Sequence, residues 1–307
     1  MKRSFWLTLV AVTGITFSGL AQKNASNLDA NTLLWKVSGN GLSKPSYIFG
    51  TMHMICANDI ELSDSLRKAI QNVDEVYLEL DMDDMMQMMM AMTKMTMKGD
   101  TTLSDLLTKE EYEKLKNYFE KNSSLIPFVM MERYKPLLIQ AMIMEKAASC
   151  DNMIIMENLV MQAAKSNKKD IKGLETFEYQ LSIFDKIPYK LQAQQLVKLV
   201  DETNNGEDAG TEMKILTDAY RNQQLNKMDE LTKADPSIGA FADILLYDRN
   251  ANWTKKLQEL MPKKSLVIAV GAGHLPGEKG VLKLLTEAGY KVEPVKNEMI
   301  KKKVEQI

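Results

Sequence analysis

At 307 residues, with 45% hydrophobic and 26% charged residues, the chain is long enough to bury a sizeable core, and its composition is neither disordered nor fibrous. A formal net charge of −2 gives no electrostatic reason to bind nucleic acid, so none is expected as a partner. The only two cysteines, Cys56 and Cys150, form no C-x-x-C pair, which argues against thiol redox chemistry.

In chain order, Lys2 and Arg3 precede an apolar run over residues 5–17 that ends in Ser18-Gly19-Leu20-Ala21. This pattern predicts a signal peptide, residues 1–21, cleaved before Gln22, after the small residues Gly19 and Ala21. The run is shorter than the roughly 20 apolar residues of a membrane anchor, and no later segment reaches that length, so the mature form is expected without an integral membrane segment. An exported chain, periplasmic or secreted, follows, with residues 22–307 as one domain. Losing Lys2 and Arg3 and no acidic residue takes the formal charge from −2 to −4. In an oxidising compartment Cys56 and Cys150 are candidates for a disulfide, the alternative being two buried thiols.

Leu33-Leu34-Trp35-Lys36-Val37, the turn cluster Ser38-Gly39-Asn40-Gly41 and Ser46-Tyr47-Ile48-Phe49 predict a hairpin whose second strand delivers Gly50-Thr51-Met52-His53. Ser63 suits the N-cap of a helix through Gln71, and Glu75-Val76-Tyr77-Leu78-Glu79-Leu80 is the next strand, with Glu79 near its end. Helical patterning covers residues 84–164, with breaks near Gly99, Pro127 and Pro136 and caps at Thr102 and Ser104. A short strand carries Gly173-Leu174-Glu175. Helix resumes over residues 176–260, interrupted at Pro188, at Asn204-Asn205-Gly206 and at Pro236. Ser265-Leu266-Val267-Ile268-Ala269-Val270 reads as a buried central strand running into Gly271-Ala272-Gly273-His274. A helix over residues 278–288 and a strand over 290–295 close the pattern. Strands at both ends and helices between them predict an α/β fold, a central mixed sheet with a helical insertion in the middle.

The chain holds two histidines, and each lies three residues after a glycine at a predicted strand end. A strand end fixes the backbone, glycine permits a sharp turn and close approach, and imidazole supplies a neutral ligand or a base. Carboxylates at equivalent strand ends, Glu79, Asp81 and Glu175, are the natural companions. Two imidazoles with carboxylates suit Mn²⁺, Fe²⁺, Co²⁺ or Zn²⁺, an ion that polarises a carbonyl and activates water. The bland alternative is two unrelated structural histidines.

Tyr47-Ile48-Phe49-Gly50-Thr51-Met52-His53, Tyr77-Leu78-Glu79-Leu80-Asp81, Gly173-Leu174-Glu175-Thr176 with Gln180, and Val270-Gly271-Ala272-Gly273-His274-Leu275-Pro276-Gly277 resemble, in order, the motif series of the TraB/GumN family. The resemblance spans roughly residues 33–295 and implies a fold related to erythromycin esterase and ChaN-like proteins. For its Tiki branch it implies divalent-metal-dependent peptide cleavage. Carried over, His53 and His274 match the motif histidines, and Glu79 and Glu175 the acidic positions. These four are the implied metal ligands, with catalytic roles alongside Arg249, which in Asp248-Arg249-Asn250 resembles the family's basic position before the last strand. Gln180 is expected in support.

Residues 82–97 hold nine methionines. Three readings stand: a lid or groove wall for apolar peptides beside the cleft, a thioether site for Cu(I), or plain packing. For the whole chain two functions remain open. One is a metal-dependent hydrolase, most plausibly a peptidase; the other is a protein of the same fold that sequesters a peptide or small molecule without turnover.

Overall fold

The computed structural model describes residues 28–57, 60–122, 126–147, 150, 152–204, 209–235 and 239–299. The candidate signal segment, the Asn205-Gly206 loop, Pro236 and the charged tail lie outside the described residues.

Leu34–Ser38 (β1) and Ser46–Thr51 (β2) form the expected hairpin. Gly39, Asn40 and Gly41 all take positive φ, 76°, 46° and 79°, which suits glycine and asparagine and reverses the chain. Beyond it come Ile55–Cys56 (β3), Glu75–Leu80 (β4), Met153–Ile154 (β5), Asp170–Glu175 (β6), Leu266–Gly271 (β7) and Lys291–Val295 (β8). Six strands make one sheet in the order β6-β4-β7-β2-β1-β8. The four from β6 to β2 run parallel, and β1 alone is reversed against both its neighbours, so the sheet is mixed and drawn from both chain ends. Apolar runs fit the centre because β4 and β7 are covered on both faces.

Between β2 and β4 lies α1, Asp64–Asn72, whose N-cap Ser63 accepts from the Leu66 N–H as its sequence predicts. Between β4 and β6 run α2 (Met85–Met92), α3 (Leu103–Leu106), α4 (Lys109–Lys121), α5 (Phe128–Met131), α6 (Pro136–Ala147) and α7 (Met156–Ser166). From β6 to β7 come α8 (Phe177–Phe184), α9 (Tyr189–Asn204), α10 (Ala209–Arg221), α11 (Leu225–Ala234), a π-helical turn Asp243–Tyr247 and α12 (Asp248–Leu260). Val281–Glu287 (α13) precedes β8. Because the strand order first moves one way from β2 to β4 to β6 and then back to β7 and β8, right-handed crossovers put α1 and α7 on one face and α12 and α13 on the other. Leu103, Leu115, Phe119, Ile139 and Leu196 belong to a second apolar cluster, in which helices from both excursions pack on each other away from the sheet.

Two features had no sequence signal. The β3–β5 pair is too short to show a period, and the π-helical turn has no residue signature. Next to the β3–β5 pair Cys56 and Cys150 are joined in a disulfide across a sequence separation of 94. Replacing both with serine is expected to lower unfolding free energy by about 2–4 kcal/mol, by relaxing the loop constraint on the unfolded chain. Urea unfolding of the variant against wild type checks this; an unchanged midpoint contradicts it.

Candidate functional site

Parallel alignment is what gathers the site. Thr51 pairs with Gly271 and Leu80 with Glu175, so β2, β4, β6 and β7 end at one sheet edge. Along that edge stand Glu175 from β6, Glu79 from β4, His274 from the loop after β7 and His53 from the loop after β2. This is the crevice outside the carboxyl ends of strands where open α/β sheets bind ligands.

Arg249, in the first turn of α12 and 7% exposed, joins these residues. Its Nη2 donates to Glu79 Oε2 at 2.6 Å and to Glu175 Oε1 at 2.6 Å, and its Nε donates to Glu175 Oε1 at 3.0 Å. Its Nη1 donates to the Leu245 carbonyl in the π-helical turn at 2.9 Å and lies 3.1 Å from His274 Nε2. The guanidinium sits 4.6 Å from the ring centroid of Trp253, and Trp253 Nε1 donates to Glu175 Oε2 at 3.0 Å. Glu175 therefore has both oxygens engaged by Arg249 and Trp253. Glu79 Oε1 accepts from the Gly271 N–H at 2.7 Å, and Gln180 donates to its Oε2 at 3.2 Å.

The two histidines share one orientation scheme in opposite surroundings. His274 is buried, and its Nδ1 lies 2.6 Å from Asn250 Oδ1, an acceptor, so Nδ1 carries the proton and Nε2 presents a lone pair. His53 Nδ1 lies 2.8 Å from Glu157 Oε1, which leaves Nε2 free on a side chain that is 68% exposed. Thr51 Oγ1 also donates to Glu157 Oε1, at 2.6 Å, while the buried Glu157 Oε2 has no hydrogen-bond partner among the described residues. A carboxylate or amide oxygen behind each imidazole is the arrangement that orients metal-ligating histidines.

Gly271 is where the free atoms meet. A Cβ there would lie 3.2 Å from Glu79 Oε1, 3.6 Å from His274 Cδ2 and 4.0 Å from His53 Nε2. The motif glycine is thus required for close approach, and its φ of −50° is open to any residue. Gly50 is similar, its missing Cβ falling 3.1 Å from that of Ala272. The expected sharp glycine turn is replaced by tight packing of two strand ends.

Charge follows from these contacts. Burial works against ionised Glu79, yet His274, Arg249, His53 and the Gly271 N–H together hold its carboxyl down at about 2. Burial pushes the Glu175 carboxyl up against the pull of Arg249. Burial pushes His274 down to about 3, so it is neutral at physiological pH and accepts from Arg249. The hydrogen bond to Glu157 raises His53 to about 9.

His53, Glu79, Arg249 and His274 form the floor of a cavity of about 440 Å³ whose walls are largely apolar, with Ile183, Phe184, Leu216, Met228, Leu245 and Leu246 among them, while Glu175 lies behind Arg249, outside the lining. None of the lining residues comes from residues 82–97. The methionine segment is therefore no groove wall of this cavity, and the six methionines of α2, all exposed on a helix in which only Ala91 is buried, are not core packing, whereas Met97 is buried and Met82 packs against the core. Asp81 also stays outside the lining; it accepts from the Asp83 N–H in the turn toward α2. Sequence reasoning missed Glu157, Asn250 and Trp253. Asn250 and Trp253 follow Arg249 on the same helix, but Glu157 looks like any acidic residue in a first helical turn.

As for metal, the donors of suitable type are His53 Nε2, Glu79 Oε1 and His274 Nε2, the last engaged by Arg249 Nη1. Among the described residues, however, no three His, Cys, Asp or Glu side chains form a ready metal-holding group, and His274 Nε2 stands 3.9 Å from Glu79 Oε1. The fit is one of donor chemistry.

Two outcomes follow. With only two histidines, imidazole proton signals are simple to assign: His53 is expected to titrate near 9 and His274 not to titrate above about 3 while folded. In Glu157→Gln the His53 midpoint falls toward 6.5. Since the folded value lies above the unfolded 6.5, the pair's contribution to stability is complete below that pH and disappears as pH rises through about 9. Separately, Arg249→Met leaves two buried carboxylates without their cation and is expected to cost about 3–5 kcal/mol, read from urea unfolding. A loss under about 1 kcal/mol contradicts the buried clamp.

Comparison with known proteins places this site in context. The model of the TraB/PrgY/gumN family matches residues 33–294. Metalloprotease TIKI2 of Danio rerio is 23% identical over 323 residues, covering 88% of this chain and 62% of the relative. Metalloprotease TIKI1 of Homo sapiens is 21% identical over 316 residues, covering 86% and 62%. Uncharacterized protein YbaP of Shigella flexneri is 23% identical over 252 residues, covering 79% and 88%. The chain thus spans about three fifths of the length of these Tiki relatives. No solved structure matches it. On a family match that takes in every strand of the main sheet and all five residues of the edge cluster, the chain belongs to the TraB/PrgY/gumN family.

Proposed function

We propose that this chain is an exported, metal-dependent peptidase whose candidate ligands are His53 Nε2, His274 Nε2 and Glu79. The observation that carries the reading is the approach of Glu79 Oε1, His53 Nε2 and the His274 ring to the space beside Gly271, each imidazole held from behind by an oxygen. Relatives named as metalloproteases support the choice of reaction. A borderline divalent ion, Mn, Fe, Co or Zn, would supply Lewis acidity toward a peptide carbonyl and toward water.

The protein's own groups do the rest. Arg249, fixed by Glu175 and Trp253, keeps Glu79 ionised and oriented. Asn250 fixes the tautomer of His274, and Glu157 with Thr51 fixes the ring of His53. Apolar walls exclude water and favour an apolar stretch of peptide. Glu175, with both oxygens occupied, serves to position Arg249. Export rests on the N-terminal sequence pattern, and the disulfide suits an oxidising compartment.

A second reading, capture of a peptide without turnover, is favoured by one observation: Arg249 occupies Glu79, Glu175 and the His274 Nε2 lone pair. The two readings separate on a His53→Ala/His274→Ala variant. A peptidase binds one divalent ion tightly, loses it by at least about tenfold in the variant and loses peptide cleavage with it. A sequestering protein shows no cleavage in either form and keeps its peptide affinity.

A further inference from the structure

Helix α2 is built of six methionines, Gln87 and Ala91, and contains no leucine, isoleucine, valine or aromatic residue. Its methionines face solvent: Met85 is 71% exposed, Met89 66%, Met92 66% and Met88 39%. Methionine is ordinarily a core residue, so an exposed row needs a reason. The row borders no part of the cavity and packs no core.

We infer that α2 is a thioether site for a soft monovalent cation, Cu(I) or Ag(I). Met85, Met88, Met89 and Met92 stand at i, i+3, i+4 and i+7, so neighbours in this row are roughly 5–6 Å apart at Cβ, and each carries three flexible bonds with which to turn sulfur inward. Two triads of adjacent sulfurs result, Met85 with Met88 and Met89, and Met92 with Met88 and Met89. Thioethers select soft cations, whereas the imidazole and carboxylate donors at the sheet edge suit borderline ones. Both cysteines are consumed in the disulfide, so no thiol competes for such an ion.

The helix is also firmly held and electrically permissive. Asp84 caps it, accepting from the Gln87 N–H at 3.0 Å. The cations around it are neutralised: Lys94 pairs with Glu178, Lys98 with Asp185 and Lys165 with Asp83. No uncompensated positive charge at these positions repels a metal cation.

The test titrates the full chain with Ag(I), and with Cu(I) under reductant, against a chromophoric chelator. The wild type is expected to retain at least one ion. Met85→Leu/Met88→Leu/Met89→Leu/Met92→Leu keeps apolar bulk and helix propensity, removes sulfur, and is expected to bind at least about tenfold more weakly. His53→Ala/His274→Ala is expected to keep the ion. In the wild type, Ag(I) shifts the ε-methyl signals of the α2 methionines and leaves those of the buried Met131, Met156 and Met261 in place. Retention by the leucine variant, loss by the histidine variant, no binding by the wild type, or unmoved α2 methyl signals each overturns the assignment.

Discussion

Two carboxylates from adjacent parallel strands, both buried at one sheet edge, cannot remain ionised without a cation between them, and the rest of the site is arranged around the guanidinium that supplies it. Arg249 has the planar fork needed to reach Glu79 and Glu175 together, and a lysine has no such geometry. Its placement constrains α12, which must bring Arg249, Asn250 and Trp253 to the edge on consecutive turns. The π-helical turn before α12 supplies the Leu245 carbonyl that takes the remaining Nη1 proton. Extra residues in a helical turn, costly in regular helix, are here spent on completing one buried donor.

The two histidines show how environment divides chemically identical groups. His274, tilted against Trp253 with 4.4 Å between ring centroids and sealed from solvent, is neutral and turns its Nε2 lone pair to Arg249. His53, at the exposed lip with Glu157 behind it, holds its proton well above neutrality. His274 Nε2 is engaged by Arg249 Nη1, while His53 Nε2 is left free at the lip. The same strand carries a matched arrangement at its other end, where Glu75 is buried against Lys172 and Lys264. β4 thus buries a carboxylate at each end, and each has cations drawn from neighbouring elements.

Donor softness sorts the rest of the molecule. Imidazole and carboxylate gather at the carboxyl edge of the sheet, in a cavity with apolar walls, while thioethers line a separate exposed helix that starts within a few residues of the end of β4. Sulfur of the third kind, the cysteine pair, is closed into a disulfide beside the β3–β5 ribbon.

Sequence alone determined the six strands of the main sheet, the order in which they occur and the two G-x-x-H ends, because buried apolar runs, period and turn residues are local signals. It also singled out His53, Glu79, Glu175, Arg249 and His274, since two histidines placed alike in a whole chain stand out and the family motifs supply the acidic partners. Only tertiary structure decided what those residues do to each other. That Arg249 lies between Glu79 and Glu175 depends on β6, β4 and β7 being neighbours, and strand order is a long-range property that no local pattern encodes. Glu157 was illegible because an acidic residue in a first helical turn is ordinary, and its meeting with His53 spans 104 residues. The methionine segment was legible as composition but not as surface, because its period suits burial or exposure equally until the neighbouring helices decide which face is covered.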